Sequence, residues 1–322
     1  MNRHVVIVPD SNGEDCRTGR EPLYFAARGN LMPFKPTYAV QAERLPYTFT
    51  PTIHLGERRI GVLFLHGFMG SPLSSRPMAR FLNERGFFVH CPLLPGHGSY
   101  PDKLYRVSHR AWLAEAEEAY QLARDACDDL FILGHSMGNV LAAHLTVKFG
   151  NVRGVAMLAP VIDVPDPRLR LTKYARFFLP WYYPHKSKRE SMQQLVRERV
   201  LDFDPSIDFD SPEFQEQLPQ VSRVPISGMY EMVRMIEMGR KLWPRLDVPV
   251  RIYAGEEDNA APPENAREIF NLLPGRDKEL TVYPDVGHEL MRPFEPIHMT
   301  VWQSVNDFFM GQLHHKEPLT AK

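Results

Sequence analysis

Residues Leu130 to Leu141 read LFILGHSMGNVL. Leu130 to Leu133 is a short apolar run of the length a buried strand needs. Gly134-His135-Ser136-Met137-Gly138 follows, and Asn139 to Phe149 (NVLAAHLTVKF) then reads as a helix stopped by Gly150. A G-x-S-x-G alone also suits a surface turn. Between a buried strand and a helix it reads as a nucleophile elbow, with Ser136 raised on a sharp turn. The flanking glycines let strand and helix close around that turn, and the helix N-terminus sets unpaired N–H groups beside the hydroxyl.

The strands before the elbow are placed by the same reasoning. Thr50 to Leu55 (TPTIHL) and Ile60 to Leu65 (IGVLFL) are expected as strands across a Gly56-Glu57-Arg58 turn. The second is almost wholly apolar, as a strand covered on both faces should be. It runs into His66-Gly67-Phe68-Met69-Gly70-Ser71-Pro72, a glycine-bearing loop that reads either as a plain connection or as a donor of backbone N–H to an oxyanion. Ser75 to Arg85 is expected as an amphipathic helix and Phe87 to Cys91 as a strand. Leu94-Pro95-Gly96-His97-Gly98 is a turn in which His97 holds the loop, and Arg110 to Cys127 is a long helix. Val152 to Leu158 is the strand after the elbow helix. Alternation of strand and helix implies a parallel sheet with right-handed crossovers.

The rhythm breaks after Val164 and returns at Val248. Residues 165–245 hold an aromatic run (Phe177 to Tyr183), a basic helix (Lys186 to Val200), an acidic loop (Asp202 to Asp210) and a Met-rich helix. They read as a helical cap inserted over the C-terminal edge of the sheet. Met229, Met232 and Met235 lie near helical spacing and suit either ordinary cap core or an adaptable apolar wall for an acyl chain. Phe177 to Tyr183, among Lys173, Arg176, Lys186, Lys188 and Arg189, reads either as packed lid or as a surface making weak peripheral contact with a membrane.

Pro249 to Ala254 and Glu279 to Tyr283 are the last two strands, with a helix from Glu264 to Leu273 between them and a closing helix from His298 to Leu313. The first ends in Gly255-Glu256-Glu257-Asp258, the second in Pro284-Asp285-Val286-Gly287-His288. Ser136, an acid near Asp258 and His288 thus each follow a strand, where open sheets bind ligands. In that chemistry the serine attacks an acyl carbon, the histidine moves the proton and the acid orients the imidazole. Asp258 is favoured as the acid, with Glu256, Glu257 and Asp163 as alternatives. The N–H groups of Phe68 and Met137 are the expected oxyanion donors. No cofactor or metal is needed.

These pieces resemble the α/β-hydrolase superfamily, and within it the capped bacterial carboxylesterases and monoacylglycerol lipases. The likeness rests on Leu65 to Pro72, Leu94 to Gly98, the elbow, Gly255 to Asp258 and Gly287-His288, and spans about residues 50–315. It implies a mostly parallel sheet with helices on both faces, a catalytic triad of Ser136, Asp258 and His288 with Phe68 and Met137 as oxyanion donors, and entry of substrate beneath a cap. One departure is Asn139, where these families usually carry another glycine.

The division expected is an irregular N-terminal extension (1–50), an α/β core (51–164 and 246–315), the cap (165–245) and a loose tail (316–322). With 322 residues, 43% hydrophobic and 24% charged, the chain has ordinary globular composition. A formal net charge of -1 gives no basic face for nucleic acid. Cys16, Cys91 and Cys127 form no metal or disulfide pattern and suit a reducing, cytoplasmic setting. No leader and no membrane span are expected from the first residues or from any apolar run. The function expected is hydrolysis of lipid-like carboxylic esters, such as monoacylglycerols or short to medium acyl esters. An amidase, thioesterase or acyltransferase with the same triad is the enzymatic alternative, and a non-catalytic ligand-binding homologue the other.

Overall fold

A strand buried on both faces needs apolar side chains at every position, and a helix on each side to cover them. A computed structural model describes residues 34–314 except 54, 165 and 205. Most of the expected N-terminal extension and the tail 316–322 lie outside these residues. In chain order the first half holds β1 (Tyr47–Phe49), β2 (Ile60–Leu65), α1 (Pro72–Asn83), β3 (Phe88–Cys91), α2 (His109–Ala126), β4 (Asp129–His135), α3 (Gly138–Phe149) and β5 (Gly154–Leu158). There follow α4 (Thr172–Ala175), β6 (Trp181–Tyr182), α5 (Glu190–Phe203), α6 (Pro212–Val221), β7 (Val224–Pro225) and α7 (Ile226–Leu242). The chain then returns with β8 (Val250–Gly255), α8 (Pro263–Leu272), β9 (Lys278–Tyr283) and α9 (His298–His314).

The sheet has the order β1-β3-β2-β4-β5-β8-β9. All its pairings are parallel except that of β1 with β3. β2, β4 and β5 are buried along their whole length. On one face α9 closes the core, with Phe309 stacked on Phe131 at 4.5 Å between ring centroids. The fold is the mostly parallel α/β architecture that the strand–helix alternation implied.

One expected element is not formed. Thr50 to Leu55 was expected as a strand pairing back on Ile60 to Leu65, yet none of its described residues is in a strand. The edge strand is instead Tyr47–Phe49, paired antiparallel to β3 with Tyr47 opposite Cys91. Pro51 has no N–H to give to a ladder, and β2 is already flanked by β3 and β4. Tyr47 gains burial at the earlier position, and its hydroxyl meets Ser75 Oγ at 2.8 Å.

Register aligns the strand ends that matter. Leu65 lies beside Gly134, His135 beside Leu158, Leu158 beside Tyr253, and Gly255 beside Tyr283. The loops carrying Gly67, Ser136, Asp258 and His288 therefore all open at one edge. Between β5 and β8, helix α7 packs into the main core through Val233, Met235 and Ile236. Helices α5 and α6 instead build a small cluster of their own from Val196, Val200, Phe214 and Leu218.

Candidate active site

The elbow is held by backbone constraints. Ser136 has φ +55°, the left-handed region that a residue with a side chain enters at a cost of about 1 kcal/mol or more. Its N–H donates to Leu158 O at 2.9 Å, which ties the turn to the end of β5. The chain can turn this sharply only because its neighbours lack side chains. A Cβ on Gly138 would stand 2.0 Å from Leu65 O. A Cβ on Gly67 would stand 2.9 Å from Ser136 Cβ and 3.5 Å from its Oγ, so the loop after β2 lies against the nucleophile.

Asn139, the departure from the usual pattern, reinforces the turn. It is fully buried, and its Nδ2 donates to Ser136 O at 2.9 Å and to Leu158 O at 2.8 Å. A glycine there would make neither bond.

His288 and Asp258 meet across two strand ends. His288 donates from Nδ1 to Asp258 Oδ2 at 2.7 Å, and Asp258 Oδ1 accepts from the N–H of Ala260 at 2.8 Å and of Ala261 at 2.7 Å. Asp258 is 3% exposed, whereas Glu256 and Glu257 point to solvent. Asp163 is engaged elsewhere, by Arg170 at 2.9 Å and Arg240 at 3.2 Å. Of the four acids considered from sequence, Asp258 is thus the one that reaches the imidazole. Burial pushes the His288 imidazole down, but the Asp258 hydrogen bond and charge, aided by Glu289, outweigh it and hold it above its ordinary value. With Nδ1 protonated, Nε2 is left as an acceptor, the form a general base requires.

Around this pair sit two neutral histidines. Burial pushes His66 down to about 4 and His97 down to about 3. His66 donates from Nδ1 to Gly67 O at 3.0 Å and accepts from Leu94 N–H at Nε2 at 3.2 Å, so it fastens the loop after β2 to the loop after β3. His97 donates from Nδ1 to Pro95 O at 3.0 Å and packs edge-on against Phe68 and Trp112, a loop-holding role.

Ser136 and His288 line one cleft with Gly67, Phe68, His135, Glu289 and three arginines, Arg44, Arg199 and Arg292. Among the described residues, the N–H groups of Phe68 and Met137 donate no hydrogen bond within the protein. The Met stripe is elsewhere. Met235 is fully buried in the main core, Met232 packs against that core, and neither they nor Met229 lines the cleft. Sequence reading passed over His135, whose Nε2 donates to His288 O at 3.1 Å and so braces the loop that carries His288. It also passed over Glu289 and the arginines, which no local pattern marks. A larger hollow beside Arg251, Tyr253 and Glu279 lies at the far edge of the sheet and holds no nucleophile–base pair.

The family model described as serine aminopeptidase, S33 matches residues 56–296, and the chain belongs to this α/β-hydrolase family. It is 28% identical over 221 residues to the thermostable monoacylglycerol lipase of Bacillus sp. (strain H-257), covering 69% of this chain and 79% of that protein. It is 25% identical over 248 residues to the carboxylesterase of Bacillus subtilis (strain 168), covering 75% of this chain and 90% of that one. Among solved structures it resembles one of two metagenome-derived lipolytic enzymes, with TM-score 0.68, 22% identity, and coverage of 85% of this chain and 100% of the other. It also resembles a soluble variant of the monoglyceride lipase of Saccharomyces cerevisiae, with TM-score 0.64, 16% identity, and coverage of 87% and 98%. These structural likenesses are likenesses of fold.

Proposed function

We propose that the chain is a serine hydrolase of carboxylic esters, with lipid-like acyl esters as its substrates. The carrying observation is Ser136 on its left-handed turn, facing one cleft with the Asp258-oriented imidazole of His288. The relatives that are lipases and carboxylesterases support the same reading.

In this scheme Ser136 Oγ bonds to the acyl carbon while its proton passes to His288 Nε2, and the carbonyl electron pair moves onto oxygen. The N–H groups of Phe68 and Met137, which have no partner among the described residues, hold that oxyanion, each contributing about 3 kcal/mol. Collapse of the intermediate expels the alcohol, which takes the proton from His288. Water, deprotonated by the same imidazole, then cleaves the acyl-enzyme to the acid and restores Ser136. Asp258 keeps the proton on Nδ1 and stabilises the imidazolium.

Residues 165–245 act as the cap in this reading, with 51–164 and 246–315 as the core. The separate α5–α6 cluster supports a cap that moves, since a satellite core is held less firmly than the main one. The segment supports weak peripheral contact with a membrane as well. Between Asp166 and Arg189 stand seven Lys or Arg against one acid, and Phe177 and Phe178 are 70% and 83% exposed. Cys91 and Cys127 are buried free thiols, which suits the cytoplasm.

The test is turnover of p-nitrophenyl esters of increasing acyl length by the wild type and Ser136→Ala. Wild-type turnover lost in the variant supports the proposal, and equal turnover by both refutes it. Amide or thioester turnover that exceeds ester turnover would move the assignment to the alternative chemistry.

A further inference from the structure

Three arginines line the cleft over Ser136. Arg44, Arg199 and Arg292 reach it from three separate stretches: the 3-10 turn Ala42–Arg44, helix α5, and the loop after β9. Among the described residues lining it, Glu289 is the one carboxylate. Its Oε2 is buried with no hydrogen-bond partner. Burial pushes the Glu289 carboxyl up, but the fields of His135, His288, Arg199 and Arg292 outweigh it and keep it ionised.

Arg199 is the telling member. Two residues earlier on the same helix, Arg197 holds Asp210 at 2.7 Å. Arg199 makes no hydrogen bond or ion pair among the described residues, although Val196 and Val200 anchor its helix on either side. Its charge also opposes protonation of His288, against the larger effect of Asp258. An unpaired guanidinium beside the base is a liability that an anion on the substrate would cancel. Arg44, which lines the same cleft, is buried and donates from Nε to Gln41 Oε1 at 3.0 Å.

We infer that the preferred ester carries an anionic group, a carboxylate or phosphate near the scissile bond, received by Arg199 together with Arg44 and Arg292. Guanidinium groups recognise both oxyanions through paired N–H donors. The inference rests on Ser136 acting as an ester nucleophile.

Two matched pairs test it by titrating released acid. A monoacylglycerol is compared with the same acylglycerol phosphate, which places the anion on the alcohol. Methyl pentanoate is compared with methyl hydrogen glutarate, which places a carboxylate on the acyl part. In at least one pair, kcat/KM for the anionic ester is expected to exceed that of the neutral one by about tenfold or more, the size of one charge-assisted contact. The pair that shows it identifies which anion is read. The ratio should fall as salt is raised, since exposed charges are screened within about 10 Å at 0.1 M. It should also fall in Arg199→Gln and stay in Arg197→Gln. The salt series uses the wild type and does not depend on how the variants fold. A preference for the neutral ester in both pairs, or a ratio unchanged in Arg199→Gln, overturns the inference while leaving the esterase reading intact. No turnover of any of the four esters overturns both.

Discussion

Replacing Asp258 by Asn is the sharpest perturbation of the proposed site, because the surroundings dictate how the amide must sit. Asp258 Oδ1 accepts two backbone N–H groups, those of Ala260 and Ala261. The asparagine oxygen must take that place, since an NH2 there would face two donors. The amide Nδ2 is then forced toward His288, where Oδ2 now accepts at 2.7 Å. A donor facing Nδ1 drives the imidazole to the tautomer with its proton on Nε2. In that form His288 cannot take the Ser136 proton. The expected loss in kcat is about 10,000-fold, or about 5 kcal/mol of activation free energy. The assay is initial-rate hydrolysis of a p-nitrophenyl ester, with unfolding curves to show that the variant is folded. Asp163→Asn and Glu257→Gln serve as comparisons and should stay within about threefold, as changes away from the reacting groups do. If Asp258→Asn kept a tenth of wild-type kcat, or if either comparison lost as much as it did, the assignment of the acid would be wrong.

The acid limb of kcat/KM should reflect His288, whose value is held above that of free imidazole. The rate therefore falls as pH drops through that raised value and the base becomes protonated, and Glu289→Gln should move the limb to lower pH by removing a supporting negative charge. Asn139→Ala deletes the two bonds from Nδ2 to Ser136 O and Leu158 O, and should lower stability by about 2 kcal/mol in urea unfolding, at about 1 kcal/mol per bond. An unchanged midpoint would mean the elbow is held without them. Sedimentation with vesicles of anionic lipid should capture the wild type at low salt and release it at high salt, and Phe177→Ser/Phe178→Ser should weaken the capture. Equal capture by neutral vesicles would argue against the charge contribution.

Much of the architecture was legible because it is local. An apolar run, a glycine-bracketed serine and a largely apolar helix follow one another within twenty residues around Ser136, and each declares itself by its run length and turn chemistry. The edge strand was misplaced for the opposite reason. Edge strands carry weak patterns, and whether Tyr47–Phe49 or Thr50 to Leu55 pairs depends on which neighbour offers a free edge, here β3. The Met stripe on α7 had an apolar period that suits a pocket wall or a core equally. Packing of α7 against the main core set Met235 inside it.

By itself the sequence determined the sheet's parallel rhythm, the elbow at Ser136 and the chain order of serine, acid and histidine, since backbone sterics and hydrophobic period act between near neighbours. The sequence favoured Asp258 as the acid but left Glu256, Glu257 and Asp163 open, and only three dimensions show which one meets His288. Asp258 is buried toward β9 by the turn after β8, whereas Glu256 and Glu257 stay in water. The charge of the cleft was decided there too. Arg44, Arg199 and Arg292 are scattered over some 250 residues, and nothing in their local surroundings marks them. They converge because the sheet brings distant strand ends to one edge and the segment after β5 returns across it, a consequence of long-range packing that no short window of residues encodes.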